Sequence, residues 1–158
     1  MFTPLFRAGL KRALLLAALA SAQPALAQTT VSDAWVRATV AGQTATGAFM
    51  TLTASSDSKL VEVKSPAASD VQIHQSSMKD DVMHMGQVSA VALPAGKPVA
   101  LESGGYHVML MGLAAQAKEG EQLPLTLVVE DASGARETIE VQAPVRALAS
   151  GHDHAGGH

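Results

Sequence analysis

The chain has 158 residues, 16% of them charged, a formal net charge of −3 and no cysteine. The missing thiol excludes disulfide staples and every thiolate metal site, the His₂Cys site of blue-copper electron carriers included. The acidic balance argues against a nucleic-acid partner.

The N-terminus has the layout of a secretory signal. Arg7, Lys11 and Arg12 make a basic region, and Ala13 to Ala22 is an apolar stretch of about ten residues, within the range of a signal core and short of a membrane span. Ala25-Leu26-Ala27 supplies a small-x-small cleavage pattern, which places the cut before Gln28. The expected division is a signal peptide over 1–27, a folded domain over 28–146 and a tail over 147–158. Cleavage removes three positive charges and no acid, so the mature chain carries −6. No cysteine follows the cut, so a lipid-anchored form is not expected. The chain is expected to be exported, with no membrane span after cleavage.

The mature chain shows short runs rich in Val, Thr, Leu and Ile, broken by Gly, Pro, Ser and Asp. This pattern predicts an all-β antiparallel sandwich or barrel. The predicted strands are Asp33–Val40, Gly47–Thr53, Leu60–Ser65, Val71–Gln75, Val82–Val88, Val99–Glu102, Tyr106–Leu113, Leu123–Glu130 and Thr138–Ala143. Turn chemistry separates them: Ser55-Ser56-Asp57-Ser58, Pro94-Ala95-Gly96-Lys97, Ser103-Gly104-Gly105 and Asp131-Ala132-Ser133-Gly134. The tail Ala147 to His158 is small, Gly-rich and carries three His, with nothing to bury.

The chemistry-bearing residues are His and Met. Thioether sulfur is a soft, neutral donor that suits Cu(I) and serves hard divalent ions poorly. His74, Met85, His107 and Met109 draw attention because they combine both donor types in a cysteine-free chain. Alternation along a strand puts His107, Met109 and Met111 on one face, with His107 and Met109 ~7 Å apart at Cα. It also pairs Met83 with Met85, opposite Val82 and His84, and sends His74 away from Val71 and Ile73. A common site then requires these three strand segments to meet at one end of the sandwich. Met is equally a core filler. Met50, Met78, Met83 and Met111 read as packing and His84 as a surface residue; for Met85, His107 and Met109 composition alone leaves both readings open. No Ser elbow, Cys nucleophile or HExxH motif suggests an enzyme.

The spacing His74-x10-Met85-x21-His107-x-Met109 resembles the signature of the PCu(A)C family of periplasmic copper chaperones. Asp33-Ala34-Trp35-Val36-Arg37, Gly47-Ala48-Phe49-Met50-Thr51-Leu52 and the block Gly104 to Leu113 are similar to the family's other recognisable segments. The resemblance covers roughly Val31 to Ala143. Gln75 departs from relatives that carry Met after the first His, and Phe49 stands where Tyr is common. The resemblance implies a cupredoxin-like Greek-key sandwich or barrel and one Cu(I) held by His74, Met85, His107 and Met109. It further implies delivery to the Cu(A) subunit of cytochrome c oxidase, directly or with a Sco-type partner; separately, the chain is expected to be a monomer. A periplasmic storage or resistance protein would use the same ligands. His152, His154 and His158 form a second, weaker candidate site, suited to Cu(II) through imidazole and backbone nitrogen.

Overall fold

The computed structural model describes residues 28–147, and among them the regular structure is all strand. Ten strands follow in chain order: β1 Thr29–Arg37, β2 Ala45–Ala54, β3 Ser58–Lys64, β4 Ala68–Lys79, β5 Val82–Gln87, β6 Val91–Leu93, β7 Val99–Leu101, β8 Tyr106–Leu113, β9 Gln122–Asp131 and β10 Arg136–Arg146. They hydrogen-bond in the order β5-β4-β8-β2-β1-β10-β9-β3-β6, with β7 also on β2. Pairing is antiparallel except between β1 and β10, where Val36 and Val145 run parallel. The all-β expectation therefore holds, with one parallel seam in place of a wholly antiparallel arrangement. The expected signal peptide and the His-bearing part of the tail lie outside the described residues.

The strands enclose one core, with β5 left exposed at the edge of the path. Leu52, Leu60, Leu93, Leu110, Leu125, Leu127, Val36 and Val108 are fully buried in it. The alternation that puts Val108 and Leu110 into the core turns His107, Met109 and Met111 to the opposite face. Met50 is 2% exposed and packs in the core, as expected of it. β6 went unpredicted because Val91-Ala92-Leu93 is only three residues long before Pro94; both of its end residues are fully buried.

Two local devices shape the face turned away from the core. The first is a bulge in β1. Register with β2 shifts between Ser32 and Trp35, and Asp33 sits at a φ of 53°. One extra residue reverses the facing of everything after it. Val31 faces the core before the bulge and Val36 after it, so Trp35 and Arg37 point outward beside Phe49. The second is the β4–β5 hairpin. Lys79 pairs with Val82 across Asp80 and Asp81, whose φ values are 52° and 60°. Two successive positive φ angles are the mark of a type I′ turn, whose twist matches the strands it joins. The turn carries β4 four residues past its expected end at Gln75.

Candidate metal centre

The site is set by register. β4 and β8 pair with His74 opposite His107 and Gln72 opposite Met109. β4 and β5 pair with Ser76 opposite Met85. Directly paired residues share a face, and residues two apart share it as well. His74, His107, Met109 and Met85 therefore all stand on the sheet face away from the core. The structure brings them together on three neighbouring strands, with His107 at the start of β8 and Met85 on the exposed strand β5. Met85, His107 and Met109 line one cavity of about 230 Å³, together with Arg37, Gly47, Phe49 and Ser103. His74 is not among its walls and reaches the group through His107.

The two imidazoles have centroids 6.0 Å apart and planes inclined at 55°. A metal–nitrogen bond of ~2 Å plus the ring radius places a shared ion ~3 Å from each centroid. Rings that share one ion are then separated by at most ~6.5 Å, so the observed spacing accommodates one ion between them.

Each ring is held by one nitrogen and leaves the other available. His107 Nδ1–H donates to the Gly105 carbonyl at 3.2 Å, which leaves Nε2 with its lone pair. His74 Nε2–H donates to Gln72 Oε1 at 2.9 Å, and Gln72 Nε2 donates in turn to Asp70 Oδ2 at 2.8 Å. His74 Nδ1 is buried without a partner. A buried orphan lone pair is costly unless something occupies it. An imidazole fixed by a hydrogen bond on its far nitrogen is the usual arrangement of a metal-ligating His. On this donor chemistry the residues fit a soft monovalent ion: two neutral imidazoles, two thioethers and no carboxylate in the group. The His74 imidazolium is disfavoured, first by burial and then by repulsion from His107, with Asp70 opposing weakly; its pKa is lowered from 6.5.

Exposure is graded across the set. His107 is 3% exposed, His74 and Met109 are half-buried, and Met85 on the outermost strand is 56% exposed. The aromatic wall behind them is tightly fixed. Phe49 stacks on Trp35 at 4.8 Å, with the Arg37 guanidinium 5.3 Å from its ring centre. Gly47 pairs with Met109, and a Cβ there would lie 2.8 Å from Phe49 Cζ, so the ring's position requires glycine beneath it.

Several contributors escaped the sequence reading. Asp70 and Gln72 share a face with His74 by simple alternation, a signal that was present. Arg37, Gly47 and Phe49 join through the β1–β2–β8 register, which no local pattern announces. Met111 shares the ligand face but pairs with Asp70 and Ala45, farther along. His84 faces the other way, opposite Ser77. Met78 and Met83 are 62% and 55% exposed, so the packing reading fails for both. His152, His154 and His158 lie outside the described residues.

The LpqE-like family model matches residues 29–145, which is nearly the whole described domain. The chain belongs to the LpqE-like family. A relative named as a lipoprotein, Lxx21020 of Leifsonia xyli subsp. xyli, is 34% identical over 125 residues, covering 78% of this chain and 73% of that protein. Among solved structures, the copper-bound PCuAC domain from PmoF2 superposes with a TM-score of 0.61 at 26% identity, over 76% of this chain and 93% of that one. The solution structure of CuI-DR1885 from Deinococcus radiodurans gives 0.60 at 32% identity, over 81% and 85%. The fold of this LpqE-like chain is thus the cupredoxin-like β fold of PCuAC domains.

The lowered pKa of His74 has a consequence for the metal-free protein. Between 6.5 and the lower folded value, the unfolded chain binds more protons than the folded one, so stability rises with pH. Stability is expected to fall as pH drops below 6.5 and to level off once His74 is protonated in both states. Imidazole NMR titration should place His74 below 6.5, and a midpoint above that value would contradict the burial described.

Proposed function

We propose that this protein is an exported, periplasmic copper carrier that binds one Cu(I) through His74, Met85, His107 and Met109. The observation that carries the reading is the convergence of two fixed imidazoles and two thioethers on one sheet face. The chain's likeness to a copper-bound PCuAC domain and to CuI-DR1885 supports it. The role is binding and transfer rather than catalysis.

Copper is the cargo. Four neutral donors leave the bound Cu(I) site with a single positive charge, whereas Cu(II) would bring two and prefers harder donors in a flatter array. Arg37, at the cavity wall, adds a further penalty on extra positive charge. Release starts at the exposed end: the site opens on the side of Met85, which sits on an exposed edge strand, while His107 is buried at the other end. A thiolate acceptor binds Cu(I) more strongly than a thioether, so transfer to the Cu(A) centre of cytochrome c oxidase, directly or through a Sco-type partner, runs downhill. Cells lacking the protein should then lose oxidase activity at low copper. Loss of growth at high copper with normal oxidase activity would indicate storage instead. The tail imidazoles His152, His154 and His158 form a second, weaker site for Cu(II), and truncation after Ala149 should lower Cu(II) stoichiometry and leave Cu(I) binding intact; unchanged Cu(II) uptake would remove that site from the account.

Anaerobic Cu(I) competition titration tests the ligand set. Gln72→Leu frees His74 from its orienting bond and should weaken binding by about 10–100-fold. Met109→Leu and His107→Ala remove donors outright and should cost more than Gln72→Leu, with the near-isosteric Met109→Leu leaving the fold intact. Wild-type affinity in both donor variants would refute the site.

A further inference from the structure

We propose that Met78 and Met83, with Met85 shared, form a second soft-metal site on the β4–β5 hairpin, through which Cu(I) enters and leaves the buried centre. This rests on the Cu(I) reading of that centre and extends it outward.

The register places Met78 directly opposite Met83, one rung inside the Lys79–Val82 pair that closes the turn. Alternation puts Met78 on the face of Ser76 and His74, and Met83 on the face of Met85. Three thioethers therefore share one side of the hairpin, continuous with the ligand face. Directly opposed Cβ atoms lie ~4.5–5.5 Å apart and diagonal ones ~7–8 Å. The unbranched thioether chain, with three rotatable bonds, closes such gaps onto a common ion.

Their exposure is the second observation. Among the described residues, the exposed large apolar side chains are Val40, Met78, Val82, Met83 and Met85. Four of these five belong to this hairpin, and the three on the ligand face are all Met. A core filler gains stability by burial, as Met50 does at 2% exposure, whereas these three gain nothing from solvent. Sulfur is the property that distinguishes them from the Val and Thr that suit strands better. At the tip, Asp80 and Asp81 add two carboxylates against the single charge of Lys79, a local field that attracts a cation. The type I′ turn holds the opposed pair in register. Passage inward is then ligand exchange with no electron transfer: Cu–S bonds to Met78 and Met83 break as bonds to His107, His74 and Met109 form, and Met85 stays attached throughout.

The test uses the exported chain labelled at the Met methyls, titrated anaerobically with Cu(I). The first equivalent should move the Met85 and Met109 methyls, and further Cu(I) should move Met78 and Met83 together. The Met78→Leu/Met83→Leu double variant should bind the first equivalent with unchanged affinity, lose the second, and load several-fold more slowly from a Cu(I)–chelator complex. If the first equivalent binds but the Met78 and Met83 methyls stay fixed, or the double variant loads at the wild-type rate, the hairpin site is wrong and the buried centre stands. Slower transfer only to a protein acceptor, with the second equivalent retained, would make the hairpin a docking surface and also overturn the proposal. If the Met109 and Met85 methyls fail to move, the buried centre itself fails.

Discussion

The pairing of His74 with His107 across β4 and β8 is the constraint on which the rest of the site depends. Antiparallel register has a period of two, so a slip of one residue would turn one ring into the core and leave the other outside. The core enforces the correct choice. Ile73 and Val108 are themselves a cross-strand pair, buried on the other face, and any slip exposes them together with Val71 and Leu110. Hydrophobic burial on one side of the sheet thus fixes donor geometry on the other.

The neighbouring strands serve the same arrangement. β2 is buried on both faces, with Ala48, Met50 and Leu52 in the core and Gly47 and Phe49 under the site. The β1 bulge spends one residue in a left-handed conformation to aim Trp35 and Arg37 at that same side. The resulting Trp35–Phe49–Arg37 stack makes a rigid wall beside Met109, and the opposite edge is the mobile-chained Met85 on a strand exposed along its whole length. A buried nitrogen donor at one end and an exposed sulfur donor at the other give the set a direction. That gradient, more than the identity of the ligands, separates a carrier from a permanent cofactor site.

Much of this was legible in the sequence. Tyr106–Leu113 coincides with β8, and its alternation assigned His107 and Met109 to one face and Val108 and Leu110 to the other. The spacing of His74, Met85, His107 and Met109 pointed to the relatives whose fold the chain shares. What the sequence withheld depends on long-range register. Ser76-Ser77-Met78-Lys79 has little strand propensity, and only the pairing with β5 makes it strand. Met78 and Met83 read as packing because composition cannot tell an inward Met from an outward one. Val91–Leu93 was too short to register as a strand, and the left-handed Asp33 hid a bulge inside what looked like a simple run. Gln72 was within reach, since it lies two residues from His74, but its importance rests on a hydrogen bond that spacing alone does not specify.

The central claim is that four side chains on one sheet face share a single Cu(I). X-ray absorption on the protein loaded anaerobically with one equivalent of Cu(I) tests it most directly. The account predicts two nitrogen and two sulfur neighbours around reduced copper. A nitrogen- and oxygen-only shell, or copper without sulfur neighbours, would contradict it.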